Sequence, residues 1–177
     1  GDKCDFPSAI SCASLATKEA KKKNLCSFYD QALQQELAHE AELEVLFRDS
    51  IINRDFKVFL QPKVGVEGSC QAEALARWIH PEKGMIYPYE FIPMLERSGK
   101  IIQLDLYIFE ETCRLISSWL QQGETPTKIS VNMSRFTLLK FGTEVWKEYK
   151  KIKDIYQIPD HLIEIEVTET TLFSGNQ

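Results

Sequence analysis

From residue 56 onward the chain alternates short β-rich runs with longer stretches of helical period, and this succession limits the possible folds more than any other feature. Phe56-Lys57-Val58-Phe59-Leu60-Gln61 reads as a strand ending at Pro62, because proline removes a ladder donor and marks the end or edge of pairing. A turn over residues 65–69 leads to a second strand over 70–78. His80-Pro81-Glu82-Lys83-Gly84 reads as a loop, and Pro88 stands where a helix over 89–97 begins, with Phe91, Ile92 and Leu95 as its buried stripe. A longer helix is expected over 101–121, carrying Leu104, Ile108, Leu115 and Trp119 on one face and Gly123 as a cap. Residues 128–133 form the next strand, 134–157 further helix, and 162–167 a strand after the break at Pro159. The order strand, helix, strand, helix, strand predicts a parallel sheet with crossover helices, either a barrel or a doubly wound layer.

Both architectures place their active site at the C-terminal ends of the strands. Within Glu73-Ala74-Leu75-Ala76-Arg77-Trp78 the period of two sends Glu73, Leu75 and Arg77 to one face. Alone, that hexapeptide reads equally well as an exposed strand ending in an ion pair. Asn132 closes a later strand just before Ser134, and Glu166 and Glu169 flank Thr168 at the end of the next. Singly, Asn132 is explained as a helix cap and Glu166 as an edge residue. Together, Glu73, Asn132 and Glu166 form an all-oxygen set, delivered by separate strands toward one mouth and suited to Mg²⁺ or Mn²⁺.

The formal net charge of -5 and pI near 5.3 argue against a nucleic-acid polymer as partner, since phosphate-neutralising surfaces need clustered basic side chains. A small anionic ligand remains compatible if a metal offsets the charge. The cysteines Cys4, Cys12, Cys26, Cys70 and Cys113 contain no Cys-x-x-Cys pair, so neither a disulfide framework nor a zinc site is indicated. No apolar run approaches the roughly 20 residues of a membrane helix and no signal-peptide pattern opens the chain. The expectation is a cytoplasmic protein, or the cytoplasmic part of a larger membrane-attached one. Residues 1–11 read as irregular, 13–23 as a helix closed by Lys21-Lys22-Lys23 in keeping with its dipole, and 25–29 as a short strand. Residues 31–53 form an amphipathic helix with Leu33, Leu37, Ala41 and Val45 as its stripe, which either packs on its own domain or supports a homodimer.

The motifs are Gln61-Pro62-Lys63-Val64, Glu73-Ala74-Leu75-Ala76-Arg77-Trp78, the run from Gly84 through Pro88, Phe91, Ile92 and Pro93 to Glu96, Val131-Asn132-Met133-Ser134, and Glu166-Val167-Thr168-Glu169. In this order and spacing they resemble the EAL-domain family, the cyclic di-GMP phosphodiesterases. The resemblance implies a TIM-like (β/α) barrel and metal-dependent hydrolysis of one phosphodiester bond of cyclic di-GMP to linear pGpG. It implies that Glu73, Asn132 and Glu166 are metal ligands for Mg²⁺ or Mn²⁺ in a two-metal site, that Arg77 contacts phosphate through its planar fork, and that Gln61 and Leu75 line the nucleotide site. Glu169 would anchor a loop beginning at Thr170, and Glu96 would be an outer contact. Residues 13–24 with Phe28-Tyr29-Asp30 resemble the closing helix and strand of a GGDEF domain, with departures at Ser14 and Lys18.

The expected organisation is therefore a GGDEF-like remnant over 1–30, a connecting helix over 31–55, and the N-terminal half of an EAL domain over 56–177. The family's Asp-Asp motif, catalytic lysine and later glutamate are not among the residues up to Gln177, and a barrel usually needs about 200 residues or more. The chain is expected to be part of a longer protein and to be inactive without the rest of the barrel. The competing expectation is an EAL module that binds cyclic di-GMP, or a protein partner, without hydrolysis. A glycosidase with paired carboxylates is disfavoured by Arg77 and Asn132, which suit phosphate and metal.

Overall fold

The structure is a computed structural model that describes residues 6–23, 31–64 and 70–168. It divides into two compact units, Gly1–Val45 and Leu46–Gln177. The first holds helix α1 (Phe6–Lys23) and most of α2 (Gln31–Ile52). Helix α1 begins well before residue 13, because Pro7 occupies the first turn, where its missing N–H has no helical partner to lose. The strand expected over 25–29 lies outside the described residues. In α2 the expected stripe fails at Ala41 and Val45, which are exposed, while Leu43, Phe47 and Ser50 are buried.

The second unit is built on a mixed sheet of β1 (Phe56–Val64), β2 (Cys70–His80), β3 (Gly84–Ile86), β4 (Ile129–Ser134) and β5 (Ile163–Thr168). The order is β1-β2-β4-β5, with β3 paired to the end of β2. Strands β2, β4 and β5 are parallel, as expected, with Ala74 beside Val131 and Asn132 beside Glu166. Strand β1 instead runs antiparallel to β2, pairing Phe56 with Trp78 and Val64 with Cys70. The short link over 65–69 dictates this, because a parallel crossover needs about a dozen residues or more. Pro62 does not end β1. It sits opposite Ala72 on the edge strand of the sheet, where a missing N–H is tolerated.

Helices α3 (Pro88–Ser98) and α4 (Ile101–Gln121) connect β2 to β4 and pack on one face of the sheet. That face presents Ala72, Ala74, Trp78, Ile129, Val131 and Met133, all buried. Phe56 stacks on Trp78 with ring centroids 4.7 Å apart, and Phe47 and Phe91 meet the pair edge-on. In α3, Met94 joins Phe91 and Leu95 as the buried set in place of Ile92. The buried stripe of α4 runs through Leu104, Ile108, Phe109, Cys113 and Ile116, one helical step from Leu115 and Trp119, which are half-buried. The expected helix over 134–157 is interrupted: α5 (Arg135–Phe141) stops at Gly142, whose φ of 53° leaves the helical region, and α6 (Val145–Ile155) restarts beyond a short 3₁₀ turn. Among the described residues no helix is long and apolar enough to cross a membrane.

Candidate active site

Alternation along the strands gives the sheet a second, polar face. Residues directly opposed in an antiparallel ladder share a face, so Gln61 lies with Glu73 and Phe59 with Leu75. In the parallel ladder Glu73 aligns with Ser130, and Asn132 with Glu166. Asn132 therefore lies two residues beyond Glu73 toward the C-terminal ends of the parallel strands, and the two side chains meet diagonally. The Asn132 Nδ2 donates to Glu73 Oε1 at 2.6 Å.

The centre of this face is a lysine to which sequence reasoning assigned no role. Lys63 Nζ donates to Glu166 Oε1 at 2.8 Å and Oε2 at 3.0 Å, and to Ser130 Oγ at 3.1 Å. It also pairs with Glu73 Oε2 at 3.0 Å. Glu73 and Glu166 both meet this one ammonium, and Asn132 joins them through its hydrogen bond to Glu73. The signal for Lys63 was present in the chain: antiparallel pairing of the strands on either side of 65–69 sets it opposite Gln71, on the face of Glu73 and diagonal to it.

The electrostatics follow from these contacts. The Asn132 amide holds the Glu73 carboxyl below the usual carboxylate range, with Lys63 acting in the same direction and partial burial opposing both. Lys63 is raised above the ordinary lysine value, chiefly by its hydrogen bond to Glu166, with Glu73 adding to it against desolvation. Both carboxylate and ammonium are thus kept charged. Among the described residues no group of His, Cys, Asp or Glu is assembled that could hold a metal ion by itself. The oxygens around Lys63 Nζ are the carboxylates of Glu73 and Glu166 and the Ser130 hydroxyl. A cation already sits among these oxygens, so the donor set fits a hard, oxygen-seeking ion.

Arg77 is not part of this cluster. It lies four residues beyond Glu73, about 13 Å along the strand at 3.3 Å per residue. The ion pair offered as the plain explanation of the hexapeptide forms with Lys63 instead. The Arg77 guanidinium lies 5.9 Å from the centroid of the exposed Phe59 ring, and Nη1 donates to the Ala76 carbonyl at 2.9 Å. Leu75 is half-buried opposite Phe59, and Gln61 is exposed opposite Glu73. Glu169 lies outside the described residues.

A buried network fixes the end of β4 that carries Asn132. Asp105 on α4 accepts from the Ser134 backbone N–H at 2.9 Å and from the Thr137 hydroxyl at 2.5 Å. Ser134 caps α5 by accepting from Phe136 N at 3.1 Å, and its hydroxyl donates to Glu96 Oε1 at 3.0 Å. Burial pushes the Asp105 carboxyl up to about 6, although both donors oppose the rise. Glu96 thus reaches the site through Ser134.

A family model described as the EAL domain matches residues 44–177. The chain is 30% identical over 156 residues to the bifunctional diguanylate cyclase/cyclic di-GMP phosphodiesterase MucR of Pseudomonas aeruginosa, covering 87% of this chain and 22% of that protein. It is 26% identical over 166 residues to the cyclic di-GMP phosphodiesterase PdeR of Escherichia coli, covering 93% of this chain and 24% of that one. The chain thus spans less than a quarter of the length of either relative. A solved structure of the P. aeruginosa MucR phosphodiesterase in a c-di-GMP complex superposes with a TM-score of 0.63 at 28% identity, covering 75% of this chain and 54% of that one. The EAL domain of Xanthomonas citri FimX shares the fold, with a TM-score of 0.61 at 15% identity over 81% of this chain and 54% of that one. The family suggested by the motifs is the family matched, over the same strands that assemble Glu73, Asn132 and Glu166, and the chain belongs to the EAL-domain family.

Proposed function

We propose that this chain supplies part of the site of a metal-dependent cyclic di-GMP phosphodiesterase, which adds water across one phosphodiester bond and releases linear pGpG. The observation that carries the reading is that Glu73 and Glu166 meet at a single cation position, with Asn132 bonded to Glu73 beside them. Glu73, Asn132 and Glu166 would hold Mg²⁺ or Mn²⁺, which when bound activates water and stabilises the departing oxygen. The carboxylates then serve as ligands rather than nucleophiles. Glu73, kept ionised by its hydrogen bond from Asn132, is ready to bind a cation without first losing a proton. Arg77 is assigned to a phosphate oxygen, where its fork can donate bidentately. The offset of Arg77 from Glu73 suits a ligand that spans the sheet face. Gln61 and Leu75 line the nucleotide site, and Glu169 anchors the segment that follows it.

The domain boundaries belong to the same proposal: residues 56–177 carry the EAL part, 31–55 the connecting helix, and 1–30 the GGDEF-like remnant. The test is release of pGpG from cyclic di-GMP by the intact protein as its gene encodes it, with Mn²⁺ or Mg²⁺ present. Turnover is expected, with a loss of more than about a hundredfold in Glu73→Gln, several kcal/mol of transition-state stabilisation being at stake. Absence of turnover with retained cyclic di-GMP binding would replace the hydrolase by the receptor reading.

A further inference from the structure

The ammonium of Lys63 stands where the proposed site needs its metal. We infer that Lys63 is an internal counter-cation, which neutralises Glu73 and Glu166 until a divalent ion displaces it, and so sets the metal affinity of the site. The inference rests on the assignment of Glu73 and Glu166 as metal ligands, and it adds a residue outside that assignment.

The contacts are those of a cation in an oxygen pocket. Both Glu166 oxygens, one Glu73 oxygen and the Ser130 hydroxyl lie 2.8–3.1 Å from Nζ. Mg²⁺ draws carboxylate oxygens to about 2.0–2.1 Å and tolerates no ammonium among its ligands. The same oxygens cannot serve both. Two cations sharing the pocket would also repel each other across a few ångströms of partly desolvated space. Loading the metal therefore requires Lys63 to leave.

The geometry allows that departure. Lys63 is on β1, the edge strand, and its side chain retains 37% exposure. Its four-carbon stem can carry the ammonium to water without moving the backbone. Without Lys63, the Glu73 and Glu166 carboxylates would share the pocket with no positive charge between them. The lysine thus keeps an unloaded site folded and imposes a threshold on metal binding. An ordinary exposed ion pair, by contrast, would contribute little and would leave metal affinity unchanged on removal.

The experiment is calorimetric titration of Mn²⁺ into the intact protein, comparing wild type with Lys63→Met, Lys63→Arg and Glu166→Gln. Lys63→Met is expected to bind Mn²⁺ about tenfold more tightly, the effect of releasing one partly exposed, charge-assisted contact. It should also melt at lower temperature than wild type in chelator and recover on adding Mn²⁺. Lys63→Arg retains a competing cation, folds with the pocket neutralised, and should bind Mn²⁺ no more tightly than wild type. Unchanged or weaker affinity in Lys63→Met, or a gain in Lys63→Arg, overturns the inference. If Glu166→Gln weakens Mn²⁺ binding while Lys63→Met fails to strengthen it, the metal site survives and the role of Lys63 falls. If wild type binds no Mn²⁺, or Glu166→Gln binds it as well as wild type does, the ligand assignment fails and the role of Lys63 fails with it.

Discussion

Asp105 gives the sharpest prediction about stability. Its carboxyl is buried between α4 and the start of α5, with hydrogen bonds from the Ser134 amide and the Thr137 hydroxyl. Burial raises it from 3.8 to about 6, so the folded state prefers the protonated form. A group whose folded value lies above its unfolded value contributes stability that is fully present below the unfolded value and is lost as pH rises through the folded one. At about 1.36 kcal/mol per pH unit the gap corresponds to about 3 kcal/mol, of which about 2 to 3 kcal/mol disappears between about pH 4 and pH 7. Asp105→Asn keeps an oxygen that accepts both hydrogen bonds but does not titrate. Urea unfolding of wild type and variant, measured in parallel across this range, isolates the effect because all other titrating groups are shared. The stability of the variant relative to wild type should rise by about 2 to 3 kcal/mol from pH 4 to pH 7. A difference that stays constant with pH would refute the account of Asp105 as a carboxyl held near neutrality by burial.

Two further outcomes follow from the packing and the site. Trp78 is fully buried and stacked on Phe56, so Trp78→Ala should lower the unfolding free energy by about 3–5 kcal/mol, and a loss under about 1 kcal/mol would show that the aromatic cluster is not the centre of the core. Asn132→Ala removes the largest influence that depresses the Glu73 carboxyl, so its titration, followed by carboxyl carbon NMR, should move to higher pH. Because a depressed carboxylate stabilises the fold above its ordinary range and loses that effect as pH falls through its folded value, the variant should lose the Glu73 contribution at higher pH than wild type. An unmoved midpoint would contradict the role given to Asn132.

Much of the site could be read from the chain because period-two alternation is local. The strand over 70–78 and the common face of Glu73, Leu75 and Arg77 need no tertiary knowledge, and β2 carries them as expected. Register is not local in the same way. Lys63 and Glu73 become neighbours only through the antiparallel hairpin, and reading Pro62 as the end of β1 removed Lys63 from the strand that delivers it. The diagonal between Asn132 and Glu73 likewise depends on the register of β4 on β2, which sets Ser130 rather than Asn132 beside Glu73. The helix stripes slipped for a related reason. Several apolar residues of α4 compete for the core, and the burial falls on Phe109, whose ring meets Tyr149 of α6 edge-on at 4.7 Å, and on Cys113 rather than on Leu115 and Trp119. Asp105 escaped notice because a charged residue in a helix reads as a wet face unless its partners, Ser134 and Thr137, are known to lie against it.

The central claim is that residues from separate strands act as one catalytic unit. Its most direct test is a double-mutant cycle on cyclic di-GMP hydrolysis by the intact protein, using Glu73→Gln, Glu166→Gln and the pair together. Loss of a shared ion position removes several kcal/mol of transition-state stabilisation, so each single change should lower kcat/KM by about a thousandfold. Residues that act as a unit are strongly non-additive. The double variant should therefore fall within about tenfold of the weaker single variant. A double variant whose loss equals the product of the two single losses would show Glu73 and Glu166 working independently, and would contradict a common site.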